Sequence, residues 1–364
     1  MKKIIYVSSE AFFDVDFPIL KELNNQFDLI WIPIIRTDDG WYSEEEIEYF
    51  CRNNNIKNIT ILQTVKYKNP KIILLYLRLL NTIRSLHADV IYFEYFGVPI
   101  LHLLTPLYLN VKNIVFAIHD VEQHYKMEYG KLKTLYFEYI IKRFRHFQVF
   151  SESQLTLFRK KYPNKEVVSA NLYLKDFGKA TQTRNEDKIN FIFFGIIRKN
   201  KGLDILIESF NRIGLHRDDF TVTVAGDAKY WEYYKELIKD ESHYNLIIRK
   251  IDNSEIANLL VGAHYIILPY LDVTQSGVLL TAYNYCLPAI ASDLEGFREY
   301  ISDGYNGFLV EPNKVEALEE KLVYILNNHK NIYSDLIGNL QKYIEKNINL
   351  ETIVNNYVNF LNKI

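Results

Sequence analysis

The chain has 364 residues, more than one ordinary core needs and enough for two α/β domains. Hydrophobic residues make up 48% and charged residues 24%, the balance of a globular protein rather than a disordered one. The formal net charge of -2 speaks against a general nucleic-acid binder.

The opening residues from Met1 to Phe13 resemble a signal peptide only briefly. Their apolar run is short, and Ser8, Ser9 and Glu10 interrupt it, so Lys3–Ser8 reads as a first buried strand. Helical spacing follows over Phe17–Phe27, a strand over Leu29–Ile35, a helix over Glu44–Asn53 and a strand over Asn58–Leu62. Pro70–Leu86 is helical, and Val90–Phe93 is a strand ending in Glu94–Tyr95, with Glu94 read as a surface carboxylate. Val98–Leu109 is helical, and Asn113–Ile118 is a buried strand ending in His119–Asp120. Lys131–Phe144 is a basic, aromatic helix, and Phe147–Phe150 a strand. Alternation of this kind calls for parallel strands with crossover helices. No uncharged apolar stretch of 18 residues occurs, so no transmembrane helix is expected.

The segment from Leu174 to Lys188 is polar and without apolar period, and is read as a linker between domains. A second series follows. Strands are expected at Asn190–Phe194, Phe220–Ala225, Asn245–Ile248, Tyr265–Leu268, Ala289–Ala291 and Gly307–Val310. Helices are expected at Leu203–Arg212, Tyr230–Asp240, Asn253–Gly262, Ser276–Tyr285, Phe297–Ile301 and Val315–Asn327. The tail from Ile332 to Ile364 is largely helical. The domains are drawn at 1–175 for the N-terminal domain and 189–345 for the C-terminal domain. A C-terminal helix, 346–364, is expected to pack back on the first. Two doubly wound domains of this Rossmann-like kind would face each other across a cleft at their strand ends, where ligands bind.

Charge is uneven. Lys57 to Lys165 holds 17 Lys and Arg against 7 Asp and Glu, which suggests either an anionic partner on one face or a solvated basic helix. The two cysteines, Cys51 and Cys286, form no disulfide framework or metal spacing, and a reducing cytoplasm is the expected setting.

Three constellations carry chemistry. In Gly195–Asp204 a strand runs into a glycine and a loop with Arg198 and Lys201, cations of the kind a diphosphate requires when desolvated. In Leu268–Leu280 a strand ends in a polar turn and a helix starts at Ser276 or Gly277. Its open first-turn amides and dipole suit an anion. The third, Ala289–Pro312, reads as strand, acidic turn, helix, turn and strand. Taken alone, the first two also read as a solvated basic loop and an ordinary Ser-capped helix.

In order and spacing, the three resemble the donor-binding domain of glycosyltransferase family 4, over roughly residues 190–325. Gly195–Ile207 is similar to its glycine and Lys-Gly-(Leu/Val)-Asp segment, Val222–Gly226 to its second strand and glycine, and Ile267–Asp293 to its Leu-Pro strand, phosphate-facing helix and following strand. Asp303–Pro312 is similar to its Asp-Gly-x-x-Gly-x-Leu-Val-x-Pro ending. The first half matches in architecture and at His119–Asp120. The resemblance implies an α/β GT-B fold, retention of anomeric configuration and a nucleotide-diphosphate sugar as donor, a UDP- or GDP-sugar, with no permanent cofactor and no metal. Its donor-binding residues would be Gly195, Arg198, Lys201, Gly226, Ile251, Ser276, Gly277, Val278 and Thr281, with His119 and Asp272 catalytic. Lys201 matches the phosphate-binding lysine. The family's arginine usually follows the glycine directly; here Ile196 stands there and Arg198 two residues later. The family's two glutamates around the helix fall on Val273 and Thr281, with Asp272 one residue before the first.

The expected reaction is glycosyl transfer to a saccharide or lipid-linked saccharide in cell-surface polysaccharide or glycolipid synthesis. Cations and amides would stabilise the departing nucleoside diphosphate. The basic helix would allow peripheral contact with an anionic membrane on its inner face. The string Asp14-Val15-Asp16 mimics a metal-binding Asp-x-Asp, but in a first loop. Two alternatives stay open: a sugar-nucleotide epimerase on the same scaffold, and a non-catalytic subunit that binds a sugar nucleotide.

Overall fold

A computed structural model describes residues 1–38, 40–66, 69–94, 98–121 and 130–364, the last span without the side chains of residues 130–133. Tyr95 and the side chains of Lys131 and Lys133 lie outside the described residues. The chain divides into two compact units. One comprises Met1–Tyr173 with Leu350–Ile364, the other Leu174–Asn349.

The first unit is built on a parallel sheet of β1 (Lys3–Ser9), β2 (Asp28–Arg36), β3 (Lys57–Asn58), β4 (Ile61–Gln63), β5 (Val90–Phe93), β6 (Ile114–Ile118), β7 (His146–Val149) and β8 (Glu166–Ser169). Their order is β3-β2-β1-β5-β6-β7-β8, with β4 also on β2. Ile5 of β1 pairs with Ile30 on one side and Ile91 on the other. Its helices are α1 (Phe13–Gln26), α2 (Glu44–Asn53), α3 (Ile72–Ser85), α4 (Pro99–Tyr108), α5 (Gly130–Arg143) and α6 (Glu152–Lys161). The central strands are buried end to end, as strands covered on both faces must be, so their sequences run apolar rather than alternating. Where one strand was expected over Asn58–Leu62, two short ones, β3 and β4, both pair with β2.

The second unit holds β9 (Ile189–Phe194), β10 (Phe220–Ala225), β11 (Tyr244–Ile247), β12 (Tyr265–Leu268), β13 (Ala289–Ser292) and β14 (Gly307–Val310). All pair in parallel in the order β11-β10-β9-β12-β13-β14, which is the 3-2-1-4-5-6 pattern of dinucleotide-binding folds. Its helices are α7 (Leu203–Gly214), α8 (Trp231–Leu237), α9 (Asn253–Val261), α10 (Gly277–Asn284), α11 (Glu295–Arg298) and α12 (Val315–Asn347). The strand order reverses between β9 and β12, and ligands of such sheets bind outside the carboxyl ends of the strands at that point.

Several expectations change here. Helix α12 runs unbroken through Asn327 and Ile332, where two separate segments were expected. It stops at Ile348, and α13 (Leu350–Lys363) then packs on α1 and β8 of the first unit. There the Tyr357 hydroxyl accepts from Gln148 Nε2 at 2.7 Å, and Lys2 Nζ donates to the Leu361 carbonyl at 2.9 Å. Helix α9 is capped by Asp252, because Glu255 completes a reciprocal capping box with it. The segment 174–188 is no loose linker. The Asn258 carboxamide oxygen accepts from Thr181 N, and the Tyr285 hydroxyl from Phe177 N. Arg184 Nη1 donates to the Ala263 carbonyl and the Tyr333 hydroxyl. Single side chains of the second unit hold this strap, which is why it shows no apolar period.

Candidate functional site

In the second unit, the loops after β9, β10 and β12 converge. Gly195 closes β9 with φ +112° and Gly226 closes β10 with φ +154°, a region open to glycine. The two backbones touch: a Cβ at Gly226 would lie 1.9 Å from the Gly195 carbonyl oxygen. A Cβ at Gly195 would lie 3.1 Å from Val278 Cγ2, so the first loop rests against the first turn of α10. Leu271 N donates to the Asn200 carbonyl, and Asn200 Nδ2 to Asp272 Oδ1 at 2.9 Å, which ties the β9 and β12 loops together. The β13 loop braces them, since a Cβ at Gly296 would meet the Thr274 carbonyl oxygen at 2.7 Å.

Ser276 caps α10: its hydroxyl accepts from Leu279 N at 3.2 Å. Ser276 is also hydrogen-bonded to Tyr270, whose ring lies under the Lys201 ammonium, 3.7 Å from ring centre to Nζ. Lys201, one tyrosine ring and the α10 N-terminus thus form a continuous line. Burial, reinforced by the like charge of Arg198 and opposed by Asp272, pushes the Lys201 ammonium down to about 8. A half-buried lysine beside a second cation, at the positive end of a helix, is an arrangement that an anion would relieve.

The register of the β9 loop bears on Arg198. Ile196 is exposed, Ile197 is buried and bridges to Ala228, and Arg198 is exposed. In this extended stretch residues 196 and 198 share a face. Arg198 therefore reaches the side on which the family's arginine would stand at 196. Thr281 goes differently. Its hydroxyl donates to the Gly277 carbonyl at 2.8 Å inside the helix, and the residue is buried, so this donor is already used. Ile251 lies half-buried in the segment between β11 and α9, just ahead of the Asp252 cap. A cation that sequence reasoning missed is Lys175 of the strap, which lies within 2.9 Å of where a Cβ on Gly277 would stand.

In the first unit, His119 follows β6. Its imidazole is stacked between Phe12 and Phe150, at 4.3 Å between ring centres on each side. Its Nε2 lies 3.5 Å from Glu94 Oε1. Glu94 is 1% exposed and is not the surface carboxylate expected, because Tyr6 and Tyr92 receive it in the interior. Both phenols reach its Oε2, at 3.0 and 2.8 Å. Asp16 is buried too, its Oδ1 2.8 Å from the same Tyr6 hydroxyl, while Asp14 caps the α1 backbone at Val15 N. The Asp14-Val15-Asp16 string thus belongs to the first turn of a helix. Among the described residues no cluster of His, Cys, Asp and Glu is arranged to hold a metal ion.

Residues 188–328 match the family model described as glycosyl transferases group 1. An uncharacterized glycosyltransferase of Methanocaldococcus jannaschii, MJ1178, is 30% identical over 149 residues, 40% of this chain and 41% of that protein. The chain thus spans about two fifths of the length of this relative. Among solved structures, a glycosyltransferase from Rickettsia africae superposes with a TM-score of 0.75 at 18% identity, covering 100% of this chain and 98% of that one. Anabaena Alr3699/HepE, solved in complex with UDP and glucose, gives 0.73 at 14% identity with full coverage of both chains. The chain therefore has the GT-B fold of two Rossmann-like α/β domains, and its second domain carries the sequence pattern of the group 1 glycosyl transferases.

Proposed function

We propose that the protein is a nucleotide-sugar-dependent glycosyltransferase that binds the donor diphosphate between the Gly195–Lys201 loop and the first turn of α10. The observation that carries this reading is the line from Lys201 across Tyr270 to Ser276, which links a desolvated ammonium to the residue that caps α10, whose first turn begins with Gly277 and Val278. As the glycosyl bond breaks, negative charge gathers on the departing nucleoside diphosphate. Lys201, Arg198 and those amides stabilise it there, with no reorganisation needed at that moment. Asp272, held by Asn200, partly opposes the loss of the Lys201 charge that burial and Arg198 favour. Gly195 and Gly226 let the backbone approach the donor, and Ile251 and Thr281 line its nucleoside side. The first domain, with His119, receives the hydroxyl of a saccharide or lipid-linked saccharide. Transfer with retention, in the building of cell-surface polysaccharide or glycolipid, fits this reading.

The anionic-membrane contact is part of the same proposal. Leu103 and Leu107 of α4 and Leu135 and Tyr139 of α5 are exposed, and the last turn of α5 carries the cations Lys142 and Arg143. Sedimentation with anionic vesicles tests it, and no binding removes it.

The central test is binding and turnover over UDP-, GDP- and ADP-sugars, with product anomers read by NMR. Binding with transfer supports the proposal. Binding without hydrolysis or transfer favours a non-catalytic sugar-nucleotide subunit, for which the in-helix use of the Thr281 hydroxyl is the motivating observation. Failure to bind any nucleoside diphosphate overturns both.

A further inference from the structure

We propose that Tyr270 is the positioning residue for Lys201, its ring holding the ammonium in place as a cation for the donor diphosphate. The ligand rests on the transferase reading; the pairing of the two side chains rests on backbone geometry. The loops after β9 and β12 run alongside each other in a fixed register. Leu271 N donates to the Asn200 carbonyl at 2.9 Å. At Gly202, where φ is +65°, an added Cβ would stand 2.0 Å from the Pro269 carbonyl oxygen. Residue 200 is thus set against 271 and residue 202 against 269, which leaves Lys201 opposite Tyr270. The ammonium then lies 3.7 Å from the centre of the ring. A side chain on residue 202 would force the loops apart, so this register requires the glycine.

The ring is fixed in turn. Tyr270 is 1% exposed, and Phe297 of α11 packs on it at 5.3 Å between ring centres. The Tyr270 hydroxyl is hydrogen-bonded to Ser276. Burial holds the phenol well above its ordinary ionisation, so it stays neutral and meets the ammonium as an aromatic face rather than as an anion. Such a face attracts a cation through the ring quadrupole and leaves its net charge for a ligand. The charged groups facing Lys201 are Arg198 of its own loop, which disfavours the ammonium, and Asp272 of the β12 loop, which favours it. Burial is the largest influence and acts against the charge, bringing the ionisation down to about 8. Without the ring the ionisation falls further, since the aromatic attraction acts on the charged form alone.

Rings of nearly equal size separate this role from packing. Phe, difluoro-Phe and trifluoro-Phe are placed at position 270 of the full chain. Fluorine draws charge from the ring face and weakens its hold on a cation, while the shape is kept. Tyr270→Phe set against the wild type isolates the hydroxyl. In the ligand-free chain the Lys201 ionisation is followed by its 13Cε shift, assigned by its loss in Lys201→Met. It should drop in steps along the series, by about 0.5–1 pH unit from Phe to trifluoro-Phe. UDP and GDP are then titrated by calorimetry at about pH 6 and about pH 9. For whichever binds, affinity should hold at the lower pH, where the ammonium is charged throughout. At the higher pH it should fall roughly three- to tenfold along the series. An ionisation that stays constant along the series overturns the proposal. So does an affinity that falls equally at both pH values, which is what a merely structural ring would give. If neither nucleotide binds the wild type, the transferase reading fails, while the ionisation series still decides whether Tyr270 holds the ammonium.

Discussion

The Lys201 ammonium sits over the Tyr270 ring, 3.7 Å from its centre, and the same tyrosine is hydrogen-bonded to the Ser276 that caps α10. The aromatic face offsets part of the cost of desolvating the cation. This geometry makes the role of Lys201 measurable.

Lys201→Met keeps the length of the side chain and removes its charge. A hydrogen bond to a charged group contributes about 1.5–3 kcal/mol. Affinity for UDP or GDP, whichever binds the wild type, should therefore fall roughly 10–150-fold by titration calorimetry. The melting temperature should hold or rise, since a desolvated cation has been removed. Wild-type affinity in the variant would remove Lys201 from the diphosphate site.

The pH dependence has a definite sign. The ligand-free ammonium loses its proton at about 8, and a bound diphosphate favours the charged form. Below that pH the charge is already present, and affinity is flat with respect to Lys201. Above it binding must take up a proton, and affinity falls by up to about tenfold per pH unit. The fall should be absent from Lys201→Met.

Gly226→Ala places a Cβ 1.9 Å from the Gly195 carbonyl oxygen, at a φ of +154°. Strain of this kind costs about 1–3 kcal/mol. The second domain should melt roughly 2–10 °C lower by calorimetry. Nucleotide affinity should fall as well, because a shift of Gly195 disturbs the loop that rests against Val278, in the first turn of α10. An unchanged melting temperature would mean that the two loops are not in contact.

Much of this site could be read from the sequence because it is local. Gly195, Lys201 and Gly202 occur within one loop, and Ser276 directly precedes a helix, so spacing alone brings out their chemistry. Glu94 could not be read in the same way. Its partner Tyr6 is 88 residues away, and a carboxylate at a strand end looks solvated until the phenol that receives it is seen. The strap from Leu174 to Lys188 misled for a related reason. Its polar side chains and backbone are met by Asn258, Tyr285 and Tyr333, and no periodicity announces bonds made one at a time.

Thr281→Val separates the helix from the ligand. The hydroxyl donates to the Gly277 carbonyl, a bond that the helix itself makes optional. Nucleotide affinity should stay within about threefold of wild type, and stability should change by less than about 1 kcal/mol in urea unfolding. A tenfold loss of affinity would show that the hydroxyl leaves Gly277 for the nucleoside and that the ligand-free geometry understates its role.

The strap gives the last prediction. Arg184 Nη1 reaches the Ala263 carbonyl at 2.8 Å and the Tyr333 hydroxyl at 2.7 Å, with its guanidinium 5.1 Å from the Tyr333 ring centre. Arg184→Ala removes these three contacts and the 3.1 Å bond from Nε to Glu186, while the anchors at Asn258 and Tyr285 persist. The end of the strap near β9 should open while the sheet stays intact. Limited proteolysis should then cut between residues 182 and 188 several times faster than in the wild type. Because Lys175 lies beyond the anchors that persist, nucleotide affinity should hold. A variant that loses nucleotide affinity in step with its protease resistance would show that the whole strap moves as one piece and carries Lys175 away from Gly277.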